Sequence, residues 1–425
     1  MEAGEGPVRS RSITARTARS LRRALSGGDS NRSLSGFEET IMQWINLLFL
    51  STISLIVYHV FLFPVILLLS SGRKRRTFPP VDDESAPRVA LMIAARNEEK
   101  SIEAKLENCF ELDYPREKLE IVVVANGCTD RTAEIAGRYK DRGVKVFEYG
   151  EIGKTAAQNI AIRHLDCDVV VYSDANVMYD REALRHLLAP FADPTVGSVC
   201  GHHRYRRSDK PAGAAESFLW NVIEHRLKLA EAGGGGLIGA NGSIYAVRVD
   251  LYRPLPHDVT SDFFEPLYLA CRGYRTEYAP DAIATEEPEE DMTAEFDRRV
   301  RIIQKTVYNV LQFRWMLNPF RTGRIAWMLW SHKVLRWLFP HLLFLAVTAS
   351  LIRLEKKQQN ALDWMLLSGV SLFGFLALLG RGFGTKKTIP VLSHAYHIFL
   401  LFRAAVIGTY RSFTHGGIAV WGHNR

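Results

Sequence analysis

The sequence contains five cysteines, and none of them belongs to a CxxC pair. A disulfide scaffold and a structural zinc site both need closely and regularly spaced cysteines. The cysteines instead all fall in the central charged region of the chain, at positions 109, 128, 167, 200 and 271. This pattern predicts reduced thiols in a cytosolic domain and excludes a disulfide-rich secreted fold.

A glycine-rich phosphate loop is also missing after the first predicted strand. That strand, Arg88–Ala95, leads into Arg96-Asn97-Glu98-Glu99, which matches neither GxGxxG nor GxxxxGK[ST]. Both motifs place backbone amides against a phosphate. Their absence argues against a dinucleotide-dependent dehydrogenase and a P-loop enzyme. The glycines at 233–236 follow no predicted strand, so we interpret them as a loop.

Charge is absent from four long segments, which are residues 40–72, 337–352, 364–380 and 388–402. A helix needs about 20 mostly apolar residues to span the hydrocarbon core of a membrane. The pattern excludes a fully soluble protein. It predicts one transmembrane helix over 41–70 and three more within 336–411.

The flanks of these segments predict the orientation. Residues 1–40, with seven Arg and no Lys, are predicted to form a disordered basic tail, and 412–425 a second tail. The stretch 314–335 combines Trp with Arg, which predicts an interfacial amphipathic helix. Basic residues at 73–76 and within 306–333 bracket the central domain. The excess of positive charge on cytoplasmic flanks therefore predicts a cytosolic domain in the cell (inner) membrane, with both termini on the opposite side.

Between residues 84 and 313 the chain alternates buried strands with helices. Continuous Val/Ile runs separated by helices are typical of a parallel sheet that is covered on both faces. We therefore predict one α/β domain. Its predicted strands are Arg88–Ala95, Leu119–Ala125, Val144–Glu148 and Asp168–Ser173, and its helices 100–110, Thr132–Arg142 and Lys154–Leu165.

Polar clusters follow three of these strands. They begin at Arg96, at Asn126 and at Asp174. Each has an ordinary structural interpretation as a turn or a helix cap. Open parallel sheets bind their ligands at the carboxyl ends of the strands, however, so three such clusters on one edge predict a polar ligand.

The order of the motifs resembles that of the GT-A-fold, family 2 inverting glycosyltransferases of the cellulose, chitin and hyaluronan synthase group. The resemblance covers roughly residues 85–315. It is carried by these seven segments: Ala95-Arg96-Asn97-Glu98-Glu99, Val124–Asp130, Gly153–Asn159, Tyr172-Ser173-Asp174-Ala175-Asn176, Gly239–Ser243, Thr260-Ser261-Asp262 and Arg298-Arg299-Val300-Arg301.

The resemblance implies a site for the nucleotide of a UDP-sugar donor. Ala95, Asn97 and Glu98 would line the uracil and the ribose. Asn126 stands where relatives carry a carboxylate that contacts the base, and its amide can still hydrogen-bond a uracil edge. Lys154 would face the phosphates.

The resemblance also implies a divalent cation, Mg²⁺ or Mn²⁺. Asp174 and Asn176 occupy the positions of the Asp-x-Asp motif, where Asp174 also contacts the donor. An amide oxygen ligates a hard cation but supplies less charge than a carboxylate. We therefore expect metal dependence with a weaker affinity than a full Asp-x-Asp gives.

Asp262 matches the catalytic base of the family, and Arg301 is expected to stabilise the leaving UDP, with Arg298 and Arg299 as substitutes. Asp262 has an alternative interpretation as a helix N-cap. The alternative interpretation of the three arginines is a helix face exposed to solvent.

One departure concerns the Gln-x-x-Arg-Trp motif of processive synthases. Gln304 is followed by Val307-Tyr308 at the matching places, and Gln312-Phe313-Arg314-Trp315 is one residue short. The sequence therefore supports the transfer of a sugar more strongly than the synthesis of a long polymer.

We predict a membrane-bound enzyme that transfers a sugar to a growing polysaccharide or oligosaccharide. The alternative enzyme glycosylates a lipid or lipid-phosphate carrier. A non-enzymatic alternative is a transporter or scaffold with a nucleotide-binding domain. Membrane lipids are expected partners and nucleic acid is not, while a homo-oligomer is left open.

Overall fold

The computed structural model describes residues 28–71, 76–206, 216–289, 291–383 and 390–416. Three parts of the predicted segments lie outside these residues. They are residues 1–27 of the N-terminal tail, residues 417–425 of the C-terminal tail and residues 73–75 of the basic cluster. Within them, the chain divides into two units. The smaller contains residues up to Ser54 together with Leu343–Leu367, and the larger contains Leu55–Leu342 and the residues from Ser368 onward.

The larger unit contains one eight-stranded sheet in the order β3-β2-β1-β4-β7-β6-β8-β5. The strands are β1 (Val89–Ala95), β2 (Leu119–Asn126), β3 (Lys145–Tyr149), β4 (Val169–Asp174), β5 (Val177–Tyr179), β6 (Val196–Tyr205), β7 (Tyr245–Arg248) and β8 (Arg275–Glu286).

The helices of the α/β region are α3 (Ile102–Phe110), α4 (Thr132–Gly137), α5 (Lys154–Ala161), α6 (Ala183–Leu188), α7 (His225–Gly233), α8 (Ser261–Cys271) and α9 (Met292–Gln312). The remaining helices are α1 (Gly28–Val57), α2 (Phe63–Ser70), α10 (Pro319–Thr322), α11 (Arg324–Met328), α12 (Leu335–Glu355), α13 (Ala361–Phe383) and α14 (Pro390–Thr414).

Strands β1 to β4 form the predicted parallel arrangement, with β1 between β2 and β4. Every residue of β1 is buried. Leu91 and Ile93 pack in the same cluster as Ile102 and Leu106 of α3. Met92 packs in another cluster, with residues of α5. Helices therefore cover both faces, as the continuous apolar runs predict.

The other half of the sheet is mixed, which the sequence pattern did not predict. β7 is antiparallel to both β4 and β6, β8 is parallel to β6, and β5 is antiparallel to β8. The short β5 follows β4 after a two-residue turn at Ala175-Asn176. Because β5 pairs with β8 and not with β4, the turn carries the chain from the parallel half to the far edge of the sheet.

Four described helices are long and apolar enough to cross a membrane: Gly36–Ser70, Arg324–Glu355, Ala361–Gly382 and Val391–Thr414. The first contains a π-helical turn, Tyr58–Leu62, just before Pro64. Proline lacks the amide hydrogen that a regular helix would need there, which explains the irregular turn.

Two boundary predictions are wrong. Helix α1 begins at Gly28, so residues 28–40 are helical and not disordered. Extension of an existing helix is favoured because each added residue gains one hydrogen bond. The predicted helix at 314–335 is broken at Asn318-Pro319 and at Gly323, whose φ is +51°. From Arg324 the chain continues through the π-helical turn Leu329–Val334 into α12.

The smaller unit is held by a buried ion pair at the turn between α12 and α13. Arg353 Nε lies 3.1 Å from Asp363 Oδ1, and Ser350 Oγ donates to the same oxygen at 2.8 Å. The Arg353 guanidinium also lies over the ring of Phe49, 4.7 Å from its centroid. A carboxylate at a helix start and a guanidinium at a helix end both suit the helix dipole.

In the larger unit, α14 packs along α9. The Arg403 guanidinium lies 4.9 Å from the centre of the Phe296 ring. A side chain at Gly408 would meet Ile303 at 2.9 Å, and Gln304 Nε2 donates to the Gly416 carbonyl at 3.1 Å. The C-terminal end of α14 is therefore beside α9.

Candidate active site

The first wall of the site is the loop that follows β1. Asn97 has a φ of +55°, a left-handed conformation that asparagine tolerates better than most residues. Its Oδ1 accepts a hydrogen bond from the Thr129 amide at 2.8 Å, which ties the loop after β1 to the loop after β2. The two strand ends Ala95 and Ala125 are directly paired.

A second set of hydrogen bonds fixes Glu98. Its amide donates to Thr132 Oγ1 at 2.8 Å, and its carbonyl accepts from the amides of Ser101 and Ile102 at the start of α3. Its carboxylate accepts from Ser101 Oγ at 3.2 Å. Glu98 therefore organises the loop, and its contact with the nucleotide stays a prediction.

Asn126 is the last residue of β2, and its side-chain amide is a buried hydrogen-bond donor. Its Oδ1 accepts from the Ile152 amide at 3.1 Å. Its Nδ2 is buried and has no hydrogen-bond partner among the described residues. A buried donor without a partner costs about 1–3 kcal/mol, so a ligand oxygen here would stabilise the protein. Nearby, Arg96 Nη2 lies 2.5 Å from Glu151 Oε1.

Lys154 and Asp174 meet where α5 faces the end of β4. Lys154 is the first residue of α5, after Gly153, which has a φ of +92°. The Lys154 Nζ lies 2.7 Å from Asp174 Oδ1. Both side chains are partly exposed, as a ligand-binding pair must be. The predicted phosphate-facing lysine and the predicted metal-binding carboxylate are thus brought together.

Asn176 is oriented by a residue of the distant strand β8. Its Nδ2 donates to Glu286 Oε1 at 2.8 Å. The other carboxylate oxygen of Glu286 lies 3.3 Å from His203 Nε2. His203 is buried, and its Nδ1 lies 2.5 Å from Ser243 Oγ. Because the Asn176 nitrogen binds Glu286, its carbonyl oxygen is the atom that can ligate a cation.

Asp262 lies in the first turn of α8. Thr260 occupies the N-cap position, and no side-chain capping hydrogen bond is made there. The interpretation of Asp262 as an N-cap is therefore wrong. A side chain at Gly242 would meet the Asp262 carboxylate at 3.1 Å, so this glycine leaves room beside it.

Electrostatics connect Asp262 with the other site residues. Loss of water around the carboxyl group raises the pKa of Asp262 above its ordinary value, against the opposing effect of the Lys154 ammonium nearby. Asp174 adds to the increase. A carboxylate with a raised pKa holds a proton more readily, which suits a general base.

The arginines of α9 separate into two groups. Arg298 and Arg299 both form ion pairs with Glu216, at 2.5 and 3.0 Å, and both pair with Glu295. Glu216 and Glu295 are buried. These two arginines are therefore structural, and the expectation that they could substitute for Arg301 is wrong, as is the interpretation of this group as a solvated face.

Arg301 belongs to the other group, together with Lys305. Burial, and then the charges of Arg301 and Lys154, lower the pKa of Lys305 to about 8. Asp262 acts on Lys305 in the opposite direction. Residues four apart share one face of a helix, so Arg301 and Lys305 lie on the same face. Lys305 is within electrostatic range of Arg301, Lys154 and Asp262.

The sequence interpretation missed Lys305 and the positioning role of Glu286. The spacing of Arg301 and Lys305 was a signal that could have revealed the first. No local pattern links Glu286 to Asn176, which lies 110 residues away. Glu265, another carboxyl group of α8, is buried beside Tyr245, and burial raises its pKa to about 8. At neutral pH this group is mostly protonated, so it does not serve as the base.

A divalent cation fits the oxygen donors at the strand end, and the donor set is small. The described residues include no group of three or more His, Cys, Asp or Glu arranged to hold a metal ion. Asp174 and Asn176 would supply the protein ligands. Hard cations accept such a site when substrate phosphates complete the coordination.

Comparisons with known proteins agree with this geometry. Residues 90–251 match the family model "Glycosyl transferase family 2". The poly-beta-1,6-N-acetyl-D-glucosamine synthase of Staphylococcus aureus (strain COL) is 26% identical over 279 residues, covering 62% of this chain and 65% of that protein. The Staphylococcus epidermidis enzyme of the same name is 22% identical over 277 residues, covering 62% of this chain and 66% of that protein. The chain thus spans slightly less than two thirds of the length of these relatives.

A solved structure has the same fold. The mannosyltransferase PcManGT from Pyrobaculum calidifontis, in complex with GDP-Man and Mn²⁺, superposes with a TM-score of 0.64 at 24% identity. The match covers 85% of this chain and 99% of that one. The GT-A-like sheet and the match of residues 90–251 to the family model together show a glycosyltransferase enzyme that contains a glycosyl transferase family 2 domain.

Proposed function

We propose that the enzyme transfers a sugar from a UDP-sugar to a growing polysaccharide or oligosaccharide, with inversion at the anomeric carbon. The observation that carries this proposal is the position of Asp262, whose carboxyl lies within electrostatic range of both Lys154 and Asp174. A base, a phosphate-binding cation and a metal-binding carboxylate are the groups that such a transfer requires.

The nucleotide would lie across the ends of β1 and β2. Asn126 Nδ2, the buried donor described above, would bind a carbonyl oxygen of the uracil. The loop held by Asn97 and Thr129 would flank the base. Ala95 is small and buried at the strand end, so the backbone there would approach the nucleotide closely.

The diphosphate would lie between Lys154 and the face of α9 that carries Arg301 and Lys305. A departing UDP gathers negative charge, and fixed positive groups in a water-poor site stabilise it strongly. Asp174 and Asn176 would hold Mg²⁺ or Mn²⁺ beside the same phosphates. When bound, that cation supplies further positive charge for the leaving group. PcManGT is bound to Mn²⁺, which supports this assignment.

Asp262 would accept the proton of the attacking acceptor hydroxyl. A sugar hydroxyl is a poor nucleophile at neutral pH, and a positioned base contributes about 10²–10⁴-fold to the rate. Attack from the face opposite to the diphosphate inverts the anomeric carbon. The positive charges near Asp262 would keep its carboxylate ionised until the hydroxyl proton is taken.

A polysaccharide acceptor is supported by the relatives named as poly-beta-1,6-N-acetyl-D-glucosamine synthases. The departure from Gln-x-x-Arg-Trp favours the alternative, a single transfer to a lipid or lipid-phosphate carrier. The two differ in product length. Gel filtration of the radiolabelled product would distinguish a polymer from a single added sugar.

The catalytic domain would face the cytosol at the cell membrane. Of the four apolar helices, α14 is the one we place along the membrane surface, because its C-terminal end lies beside α9. Helix α9 carries the site arginine, so Gly416 would be cytosolic, on the side opposite to that predicted from the sequence. Cysteine labelling at Gly416 in sealed membranes tests this; labelling from the outside alone would contradict it.

The proposed activity is tested with purified protein in detergent, Mn²⁺ and a panel of UDP-sugars, with GDP-mannose included because PcManGT is bound to GDP-Man. We expect UDP release with one UDP-sugar, lost on addition of EDTA and in Asp174→Ala. Binding without turnover would favour a scaffold. Turnover of GDP-mannose alone would replace the UDP-sugar assignment.

A further inference from the structure

Asn176 and Glu286 form a pair that joins the two halves of the sheet at the site. The Asn176 amide donates to Glu286 Oε1 at 2.8 Å, and the two residues come from the β4–β5 turn and the last position of β8. The Glu286 side chain is 13% exposed. A nearly buried carboxylate thus lies one hydrogen bond behind a residue expected to ligate the cation.

His203 lies beside the other oxygen of the same carboxylate. Its Nε2 lies 3.3 Å from Glu286 Oε2, and its Nδ1 lies 2.5 Å from Ser243 Oγ. The imidazole is itself fixed by the ring of Tyr205, with centroids 4.7 Å apart. Glu286 therefore lies between Asn176 and the buried His203 of β6. A carboxylate fixed in this way can orient the Asn176 amide.

We propose that Glu286 is a positioning residue that supplies the charge missing from the Asp-x-Asn motif. It orients the Asn176 amide so that the carbonyl oxygen faces the cation held by Asp174. It also places a negative charge close behind that amide. The Asn176–Glu286 pair would thus do together what the second aspartate of an Asp-x-Asp motif does alone. This inference rests on the proposed metal site.

Outer partners of metal ligands commonly contribute 10–100-fold to metal affinity. Glu286→Gln keeps the size of the side chain and an acceptor for Asn176 but removes the charge. We expect it to raise the Kd for Mn²⁺ about 10-fold. The neighbouring Glu287→Gln is a matched control, because Glu287 pairs with Arg206 at the surface and both side chains are 68% exposed.

A charge-swap variant separates this role from general support of the fold. In Asn176→Asp a second carboxylate faces Glu286 across a hydrogen-bond distance, and like charges at this separation repel each other. We expect Asn176→Asp alone to bind Mn²⁺ no more tightly than wild type. The double variant Asn176→Asp/Glu286→Gln keeps one charge in the pair and should recover or exceed the wild-type affinity.

Binding is measured without turnover, by the electron paramagnetic resonance signal of free Mn²⁺ titrated into full-length protein with UDP present. Thermal melting of each variant checks folding. The expected result is weaker binding in Glu286→Gln, unchanged binding in Glu287→Gln and recovery in the double variant. If Asn176→Asp tightens binding equally with Glu or Gln at position 286, the inference is overturned while the metal site stands. No UDP-dependent binding by wild type would overturn both.

Discussion

The two halves of the sheet contribute residues to the site in different ways. In the parallel half, β1, β2 and β4 end side by side, and the residues that follow each strand reach the edge directly. In the mixed half, site residues come from helix starts, a helix face and the end of the long strand β8. The parallel half supplies most of the residues that we propose bind the donor, and the mixed half supplies Asp262, Arg301 and Glu286.

The bonds that hold the two halves differ as well. Short hydrogen bonds between adjacent loops fix the parallel half, such as Asn97 to Thr129 and Glu98 to Thr132. Buried ion pairs between distant segments fix the mixed half, such as Arg299 to Glu216, 83 residues apart. Buried charges are costly when one partner is lost. The mixed half should therefore be more sensitive to single substitutions.

The largest effect is expected at Asp262, where Asp262→Asn removes the proton acceptor but keeps the size of the side chain. Sugar transfer should fall by about 10²–10⁴-fold, while UDP binding, which we propose involves the strand ends, Lys154 and the α9 face, changes little. Both are measured on the same preparation, by transfer rate and by equilibrium binding of UDP. Asp250→Asn, at an exposed position after β7, is the control.

The pH dependence of wild type gives a second measurement on Asp262. Its raised pKa means that the carboxyl group accepts a proton at a higher pH than an ordinary aspartate. The base must be ionised to act, so kcat/KM should decline as the pH falls through the raised pKa of Asp262, which lies above that of an ordinary aspartate. Near wild-type transfer by Asp262→Asn would eliminate this residue as the base.

The next effect distinguishes Arg299 from Arg301 on the same helix. Arg299→Ala leaves Glu216 and Glu295 buried with one partner fewer, which should cost about 3–5 kcal/mol of stability. Arg301→Ala should slow sugar transfer by about 10²-fold, because we propose that this charge stabilises the leaving group. Melting curves and rates of both variants would be compared. Wild-type transfer by Arg301→Ala would contradict the proposed role of Arg301 at the leaving group.

The same contrast explains what could be predicted from the sequence. The ends of β1, β2 and β4 were predicted because each polar cluster directly follows its own apolar strand. Asp262 was found through the family resemblance, since its local sequence also suits an N-cap. The order of β5 to β8, the pairs of Glu216 and the bond between Asn176 and Glu286 depend on contacts between distant residues. No periodicity of the chain encodes those contacts.

A smaller effect is expected from Thr132, which ties the loops of the parallel half. Thr132 Oγ1 accepts from the Glu98 amide at 2.8 Å and lies 2.5 Å from Asp130 Oδ1. Thr132→Val leaves a buried amide hydrogen without a partner, at a cost of about 1–3 kcal/mol. We expect a lower melting temperature and a higher KM for the donor. Thr132→Ser keeps the hydroxyl group and should resemble wild type; a similar loss in that variant would show that packing of the methyl group matters instead.

The smallest effect is expected at Lys305, which shares its helix face with Arg301. With a pKa of about 8, Lys305 is charged at pH 7 and largely neutral at pH 9. Because kcat/KM reports the free enzyme, kcat/KM should fall roughly five-fold over this range. That fall corresponds to an increase of about 1 kcal/mol in the activation free energy. Lys305→Gln should lack that charge already at pH 7 and show a flatter profile, whereas Lys305→Arg should stay charged and active to higher pH.

The Lys305 series also tests whether the mixed half contributes to donor binding at all. The three profiles would be measured by UDP release at several donor concentrations, so that KM and kcat are obtained separately. An effect confined to KM is expected, since the charge faces the diphosphate in the bound donor as well as in the leaving group. If Lys305→Gln retains the wild-type decline between pH 7 and 9, another group causes it. The diphosphate would then be bound by Lys154 and Arg301 without Lys305, and the contribution of α9 would reduce to one arginine.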